Sequence, residues 1–433
     1  MKSSSVLVIG GGISGIQASL DLANRGLQVY LLEENPSIGG RMAQLDKTFP
    51  TMDCSICILA PKMIECSRHT NIRLLTHSEL SEVHGSAGDF TVKILKKPGY
   101  VDEEKCTGCG VCAENCPVEI PNEFDMGIGI RKAISVPFPQ AVPLKYTIDE
   151  DNCLKCGLCE KVCGAKAINF DQKPETLSLD VGAIVVASGF ELFDVRQRSE
   201  YGYGRHRNVL MSLEFERLLS ASGPTRGHLM RLSDGRIPKT IAFVQCVGSR
   251  SQKDLPYCSA VCCMYATKEA ILIKEHNPDC EVYIFHMGLK VFGKGFQEFL
   301  NRAEDEWHVK YIEGHPSRIE GITNAGDLLI RYEDVLHGDL KDIRADLVVL
   351  CPALIPRKSN GKLAKTLGID LDEHGFFKSR DPIFSPIDTN APGVFICGYC
   401  QGPKDIPESV AQASGSAARA AEVIASTTQR AEH

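Results

Sequence analysis

The chain has no uninterrupted apolar run approaching the roughly 20 residues that cross a bilayer, so no direct membrane span is expected. It has no basic excess. The formal net charge of -7 argues against nucleic acid or an anionic membrane surface as the main partner. It has no export signal: Met1–Ser5 leads directly into Val6–Ile9 and then into glycines, which reads as a first strand, and a cytoplasmic location is expected. It also has no repeat with a period of 20–50 residues apart from one doubled cysteine run. A hydrophobic content of 43% over 433 residues is ordinary for a globular protein and suffices for two to four compact units.

Cysteine is what the chain has in excess. In a small secreted domain 19 cysteines would suggest disulfides, but this chain is long and shows no export signal. Eight of them fall in two tight runs and four more lie between Cys246 and Cys263, which points to metal. Around them the pattern is α/β. Val6–Ile9, a glycine turn, a helical stretch over 13–25 and the strand 27–32 make the start of a parallel sheet. Strands are expected again at 183–186, 240–245, 281–285, 347–350 and 394–396, with helices over 213–220, 261–275 and about 407–426, and a frayed polar end over 427–433. The expected divisions are a Rossmann domain over 1–98, an inserted cysteine-rich domain over 99–172, a return to the first domain over 173–239, a second α/β segment over 240–350, and a closing part over 351–433.

Gly10-Gly11-Gly12-Ile13-Ser14-Gly15 fits G-x-G-x-x-G between a strand and a helix, with Glu33 ending the next strand. Gly10 permits the turn, Gly12 admits a pyrophosphate to the backbone, and Gly15 lets helix and strand pack closely. Unpaired N–H groups at the helix start then face the phosphates, and Glu33 can accept from a ribose. FAD rather than NAD is favoured by three further places that resemble FAD-binding disulfide-reductase-like proteins: Ile38-Gly39-Gly40-Arg41, Ala187-Ser188-Gly189, and Val394-Phe395-Ile396-Cys397-Gly398. Tyr399 stands where an Asp usually follows, with Asp405 as a candidate replacement, and the helix near Val410-Ala411-Gln412 is expected to aim its start at the flavin.

Cys106-x-x-Cys109-x-x-Cys112-x-x-x-Cys116-Pro117 is a bacterial two-cluster ferredoxin run, and Cys153-x-x-Cys156-x-x-Cys159-x-x-x-Cys163 repeats it. Three thiolates of each run wrap one [4Fe–4S] cluster while the fourth reaches the other, so Cys163 joins Cys106, Cys109 and Cys112, and Cys116 joins Cys153, Cys156 and Cys159. Zinc is the alternative that the doubled spacing disfavours. Cys246, Cys258, Cys262 and Cys263 form a third set, placed where a second Rossmann unit would carry its glycine turn. A further Fe–S cluster is favoured there over buried structural thiols. Cys54, Cys57 and Cys66 fall short of four ligands and read as core thiols or a partner-facing group. Cys397 and Cys400 read as packing more than as a redox dithiol, and Cys280 and Cys351 read as core. Lys268 lies about one and a half helical turns past Cys262-Cys263, and either projects toward the flavin or is a solvated face residue. Arg250 and His286 read as structural.

Residues Thr48-Phe49-Pro50-Thr51-Met52-Asp53-Cys54-Ser55-Ile56-Cys57, Pro137-Phe138-Pro139-Gln140-Ala141-Val142-Pro143, Glu214-Phe215-Glu216-Arg217-Leu218-Leu219-Ser220, Cys258-Ser259-Ala260-Val261-Cys262-Cys263-Met264-Tyr265-Ala266 and Gln401-Gly402-Pro403-Lys404-Asp405-Ile406-Pro407 resemble the A subunit of heterodisulfide reductase, an iron–sulfur flavoprotein family. The resemblance covers nearly the whole chain. It implies an α/β fold: a thioredoxin-reductase-like Rossmann FAD domain, an inserted two-[4Fe–4S] ferredoxin-like domain, and a second, degenerate Rossmann-like domain. It also implies that the third cysteine set holds a cluster and that Lys268 lies near flavin N5. Longer members add an N-terminal cluster module and a C-terminal ferredoxin, and the chain is expected to be a short form whose missing modules come from separate subunits.

The function so implied is that of an electron-transfer subunit which bifurcates or confurcates electrons between ferredoxin and disulfide reduction. Its expected partners are other heterodisulfide-reductase-like subunits together with an electron-donor subunit or ferredoxin, in a homodimer within a larger complex. The competing readings are a self-contained NAD(P)H-dependent iron–sulfur flavoprotein and a non-bifurcating electron-wiring subunit.

Overall fold

The computed structural model describes residues 4–322, 326–335 and 337–429, with side chains described as far as 426; the last four residues of the end expected to fray lie outside this range. In chain order the helices are α1 (Ile13–Asn24), α2 (Ser55–Arg68), α3 (Val111–Glu114), α4 (Leu158–Val162), α5 (Ser212–Leu219), α6 (Cys262–His276), α7 (Phe296–Asp305), α8 (Asn360–Leu367) and α9 (Ile406–Gln429). The chain divides into two compact units, one of Met1–Ala43, Ile56–Phe190 and Pro356–His433, the other of Gln44–Ser55 and Glu191–Ile355.

The first unit is built on a five-stranded parallel sheet in the order Val394–Ile396, Ala183–Val186, Ser5–Ile9, Gln28–Leu32, Ile72–Leu75. Its strands are apolar on both faces because both are covered. Val6, Val8, Val29, Leu31 and Val185 point into one core with Ile16 and Leu20 of α1 and Ala413, Ala417 and Ala420 of α9. Leu7, Leu32, Ile184, Val186 and Ile396 point the other way, onto Phe90, Val92 and Ile94 of an antiparallel meander. That meander (Ser78–Ser86, Asp89–Lys96, Glu175–Val181) is not among the elements expected from the sequence. Its strands bury one face only. In the middle strand the buried Phe90, Val92 and Ile94 alternate with the partly exposed Thr91, Lys93 and Leu95, so the apolar signal is broken at every second residue.

The cysteine-rich stretch lies between the second and third strands of this meander and folds around its own small core. Val101, Ile134, Ile148, Ala167 and Ile168 pack there with Cys106, Cys112 and Cys159. Its regular structure is slight: α3, α4, and the ribbons Glu119–Asn122 with Gly129–Lys132 and Ile134–Ser135 with Thr147–Ile148.

The second unit repeats the plan of the first. A parallel sheet runs Val209–Met211, Leu347–Pro352, Thr240–Val247, Glu281–His286, Lys310–Glu313, beside an antiparallel meander of Pro316–Gly321, Leu328–Asp334 and Asp339–Ala345. Helix α6 follows Thr240–Val247 and packs against that strand and against Glu281–His286.

The turn after Ser5–Ile9 depends on close backbone approach. A Cβ on Gly15 would stand 1.8 Å from the Gly10 carbonyl oxygen, whereas a Cβ on Gly12 would meet nothing nearer than 4.0 Å. Gly15→Ala is therefore expected to lower unfolding free energy by roughly 2–4 kcal/mol in a urea titration, and Gly12→Ala to change it by less than about 0.5 kcal/mol. Equal losses in the two variants would show that the helix start can relax.

Candidate cofactor sites

In the first unit the expected dinucleotide residues gather at the carboxyl ends of Ser5–Ile9 and Ala183–Val186, where a doubly wound sheet leaves a crevice. A Cβ on Gly10 would strike the Ala187 carbonyl oxygen at 2.3 Å, and one on Gly40 would stand 2.8 Å from the Gly12 Cα. The Gly39 N–H donates to the Gly11 carbonyl at 2.7 Å, so the loop carrying Gly40 and Arg41 is tied to the glycine turn. Gly398 approaches Ser14, since its Cβ would lie 2.3 Å from Ser14 Oγ. Ile13 opens α1 directly after Gly12. Glu33 is buried and accepts from the Gly11 N–H at 2.7 Å and from Asn35 N and Nδ2 at 2.9 and 2.7 Å. Burial pushes its carboxyl up while those N–H groups hold it down. Oε1 already accepts twice, and Oε2 keeps a lone pair for a ribose hydroxyl.

On the far side Ser188 Oγ donates to Asn360 Oδ1 at 3.0 Å, and Gly189 adopts a φ of 76°. The Gly398 N–H donates to Gln412 Oε1 at 2.8 Å. Gln412 lies in the second turn of α9, which starts at Ile406, one residue before the expected 407. Asp405, the candidate for the place of the missing Asp, is engaged locally. It caps α9, accepting from the Glu408 N–H at 2.8 Å while its own N–H donates to Glu408 Oε2 at 2.9 Å. Tyr399 is buried against Phe190 and Phe376. The charge in this loop is instead Lys404, whose Nζ donates to the Gly398 and Gly402 carbonyls at 2.8 and 2.7 Å and to Gln401 Oε1 at 3.0 Å. Burial pushes its ammonium down. A glycine-lined cradle with a buried acid at its ribose end fits FAD.

The cysteine-rich insert is fastened to this cradle. The Ile38 N–H donates to the Val142 carbonyl at 3.0 Å, and Ser37 Oγ accepts from the Val142 N–H at 2.8 Å. Phe138 stacks on Phe124, and the Phe138 ring would meet a Cβ on Gly39 at 3.3 Å. Arg41 Nη1 points at Met126 Sδ, 3.9 Å away. In the sequence 137–143 stands out only as a shared motif; a run of prolines around an aromatic was the available signal.

Inside the insert, Cys116, Cys153, Cys156 and Cys159 line one cavity whose remaining wall includes Val118, Ile134, Ile148 and Phe170. The thiols of Cys153, Cys156 and Cys116 push the pKa of Cys159 up together with burial, the larger cause. Cys116 thus stands with the second run. Burial and then Cys106 and Cys109 push Cys112 up to about 11, so these three form the other group. Left-handed residues flank the middle cysteine of each run, Gly108 and Gly110 at φ 73° and 87°, Lys155 and Gly157 at 53° and 75°. These turns aim N–H groups inward: Lys155 N lies 3.4 Å from Cys153 Sγ, and Ala167 N lies 3.3 Å from Cys163 Sγ. Thiols ringing an apolar hole and receiving backbone N–H donors fit [4Fe–4S] clusters. No group of three or more acidic, His or Cys side chains among the described residues converges on a single ion. A cubane asks for the opposite, thiolates spread over its corners.

In the second unit, Cys246, Cys262 and Cys263 are buried and Cys258 is partly exposed. Burial is the main cause that raises Cys263 to about 11, with Cys246 and Cys258 adding to it, and all three other thiols act on Cys262. The four stand at the end of Thr240–Val247 and the start of α6, the crevice position of this sheet. Cys246 and Ala260 have φ of 59° and 67°, a conformation that costs a side-chain-bearing residue on the order of 1 kcal/mol. Ala260 N donates to Cys258 Sγ at 3.4 Å and Lys290 N to Cys263 Sγ at 3.3 Å. Gln245 is buried with Oε1 at 3.0 Å from Cys263 Sγ and Nε2 without a partner. A thiolate at Cys263 would take a hydrogen bond from that amide once it is flipped, so the orphaned donor fits a metal-bound sulfur better than a free thiol. Arg250 donates to the Gly288 carbonyl, and His286 Nδ1 accepts from the Gly288 N–H; both order this loop.

Lys268 is not a solvated face residue: it is 1% exposed. It pairs with Glu216 of α5, whose Oε2 accepts from the Asp46 N–H at 2.9 Å. Burial pushes the ammonium down to about 8. Beside it Glu269 is fully buried, with neither oxygen hydrogen-bonded, and burial pushes its carboxyl up against the pull of Lys268. Sequence reasoning missed Glu269 because an acid amid a helix reads as solvated.

Among the remaining cysteines, Cys66, Cys280, Cys351, Cys397 and Cys400 are fully buried free thiols. Burial holds Cys66 and Cys280 up at about 12. Cys54 and Cys57 are disulfide-bonded and so are not core thiols, the first of the two readings expected for them. No helix among the described residues is long and apolar enough to cross a membrane.

Fold and sites together define an FAD and iron–sulfur protein of thioredoxin-reductase-like architecture. Thioredoxin reductases from T. acidophilum and Lactococcus lactis superpose with TM-scores of 0.53 and 0.54, each over 98% of this chain and 99% and 100% of theirs, at 13% and 14% identity, a likeness of fold alone. The FAD dependent oxidoreductase family matches residues 5–54 and the 4Fe-4S dicluster domain family matches residues 95–168. The chain is 56% identical over 420 residues to an iron-sulfur A subunit of the CoB–CoM heterodisulfide reductase of Methanopyrus kandleri, covering 97% of itself and 64% of that protein. It is 53% identical to the corresponding A subunit of Methanocaldococcus jannaschii, covering 95% of itself and 63% of that protein. To the A subunit of the H(2):CoB-CoM heterodisulfide,ferredoxin reductase of Methanothermobacter marburgensis it is 52% identical, covering 96% of itself and 63% of that protein. The chain belongs to the family of heterodisulfide reductase A subunits, and it spans about 64% of the length of such relatives.

The buried acid on α6 generates a pH test. Glu269 holds its proton more tightly folded than at its ordinary value of 4.5, so its contribution to stability is complete below that value and is lost as pH rises through the folded one. The Lys268 shift acts in a higher window, between about 8 and the ordinary 10.5, where stability rises with pH. In urea unfolding at pH 5 and pH 7.5, Glu269→Gln is expected to reduce the loss of stability between the two by on the order of 2 kcal/mol relative to the parent. Parallel pH profiles would show that the carboxyl titrates normally.

Proposed function

We propose that the chain is the flavin-bearing electron-transfer subunit of a heterodisulfide-reductase-like assembly, holding one FAD and three [4Fe–4S] clusters and dividing electron pairs between ferredoxin and disulfide reduction. When bound, FAD exchanges electrons in pairs and the clusters exchange them singly, so the combination supplies a branch point. Gly10, Gly12, Gly15 and Gly40 admit the pyrophosphate, Glu33 takes the ribose, and Ile13, Ser14, Arg41, Ser188, Gly189, Gly398 and Gln412 line the cradle. Two clusters take Cys106, Cys109, Cys112 with Cys163, and Cys153, Cys156, Cys159 with Cys116. A third takes Cys246, Cys258, Cys262 and Cys263. The part of Lys268 at flavin N5 is carried by the family resemblance. The reading places the chain in the cytoplasm, with other subunits of such an assembly and a donor protein or ferredoxin as partners.

The observation that carries the reading lies in the second unit. Four cysteines occupy the crevice where a second α/β sheet would hold a nicotinamide nucleotide, and Gln245-Cys246-Val247-Gly248-Ser249 replaces a glycine-rich phosphate loop. That favours one-electron wiring over a self-contained NAD(P)H oxidoreductase.

Anaerobically purified protein is expected to hold about twelve irons and one FAD, and Cys258→Ser about eight irons with FAD retained. EPR of the reduced variant should lack one signal of the parent. NADH and NADPH should leave the flavin absorbance unchanged. About eight irons in the parent would return the third set to structural thiols, and bleaching by either nucleotide alone would replace the reading with the oxidoreductase.

A further inference from the structure

A cluster buried at the end of Thr240–Val247 is useful only if electrons can reach the surface, and two loops cover it. One follows that strand and ends at Cys258; the other, residues 287–295, follows Glu281–His286. They are stitched together, since Arg250 Nη1 donates to the Gly288 carbonyl at 2.9 Å. The second loop also touches the cysteines: its Lys290 N–H donates to Cys263 Sγ at 3.3 Å. Of the four thiols only Cys258 is partly exposed, and it lies on the first loop.

The outer side of these loops combines a bare aromatic with unmatched positive charge. Phe292 is 84% exposed, next to the exposed Lys290 and Lys294, with Lys253 exposed on the neighbouring loop. None of these three ammonium groups has a carboxylate partner among the described residues. Several exposed lysines elsewhere are matched, as in Lys93 with Glu82, Lys105 with Asp102 and Lys310 with Glu281; what marks this place is three unmatched ones on two adjoining loops around a bare aromatic. The acid of the first loop, Asp254, is already tied to Arg198. Glu298 on the first turn of α7 is the acid closest in sequence on the second side. A local surplus of unpaired positive charge on a chain of net charge -7 steers an acidic macromolecule to this place. A bare aromatic at its centre supplies the desolvated anchor that small, transient redox interfaces need.

We propose that residues 250–258 and 287–295 form the docking surface for an acidic one-electron carrier protein. Phe292 is its anchor, Lys253, Lys290 and Lys294 are its steering charges, and the Lys290 N–H to Cys263 Sγ contact is the link from cluster to surface. The exchange moves one electron and no atom: the carrier's iron–sulfur centre is reduced by one as the cluster is oxidised by one, or the reverse. The proposal rests on the reading that Cys246, Cys258, Cys262 and Cys263 hold a cluster.

The test uses the holoprotein and a reduced, acidic two-[4Fe–4S] ferredoxin as probe, with affinity from calorimetry, the second-order rate of electron delivery from stopped flow, and iron content on the same samples. Lys290→Glu with Lys294→Glu should weaken binding and slow delivery about tenfold at low salt and abolish their salt dependence. Phe292→Ala should weaken binding several-fold with salt dependence kept, and iron content and EPR should be unchanged in both. Unaltered binding with about twelve irons overturns the docking surface and leaves the cluster in place. Binding lost in the variants, with about eight irons in the parent, removes the cluster and leaves the surface. An equal effect from Lys161→Glu with Lys166→Glu, on the cysteine-rich insert, overturns the assignment of the surface to these loops. So does a parent dimer that either variant converts to monomers, because a second copy would then be the occupant.

Discussion

The left-handed turn, beside a cysteine in the insert and at Cys246 itself in the second unit, is the constraint on which the gathering of the thiols depends. A cubane needs thiolates from several directions and N–H donors toward the sulfurs, and neither a helix nor a strand can offer both at one place. Gly108, Gly110, Lys155 and Gly157 in the insert, and Cys246 and Ala260 in the second unit, reverse the local curl so that successive N–H groups point inward. Glycine adopts this conformation without cost. Lys155, Cys246 and Ala260 adopt it at a cost on the order of 1 kcal/mol each, which the surrounding packing must offset.

The two units show what one scaffold does when its first turn is changed. Each has a central strand that ends in a crevice and feeds a helix packed on the sheet. In the first unit the turn is made of glycines, and the space left by absent side chains admits a phosphate. In the second, Cys246 and the α6 start at Cys262-Cys263 fill the equivalent space with sulfur. A helix N-terminus favours anions, and a thiolate is an anion as much as a phosphate is. The exchange of glycines for cysteines at this turn therefore leaves the electrostatics of the helix start unaltered.

Much of this was legible in the sequence because the signals are local. The strands at 183–186 and 394–396, the doubled cysteine run and Gly10–Gly15 with Glu33 each rest on spacing over a few residues, and Ala183–Val186 and Val394–Ile396 appear with those bounds. What the sequence hid is long-range. That Val142 binds Ser37 and Ile38 depends on a chain reversal across 105 residues for the first pair. That Lys268 and Glu269 are buried depends on α5 and the strands covering a helix whose own pattern is only weakly one-sided. Asp405 looked free to serve the flavin because its partner, Glu408, looked equally free; capping engages both. The edge meanders were unread since a half-buried strand alternates, and alternation over so few residues is weak against background.

Helix α6 joins these threads. Its first turn delivers Cys262 and Cys263, where the N-terminal partial charge favours thiolate. Two turns on it buries Lys268 and Glu269 side by side, where neither charge is solvated. Glu216 from α5 engages Lys268 and, through the Asp46 N–H, also fixes the segment 44–55, and Arg217 on the same helix donates to the Gln44 carbonyl at 3.1 Å. One ammonium facing two acids in a dry interior can be neutral overall only if one acid keeps its proton. Glu216 accepts an N–H and Glu269 accepts nothing, so the proton belongs on Glu269. A helix that begins with two buried cysteines therefore holds an exchangeable proton further along, and the two are joined by rigid backbone rather than by a loop.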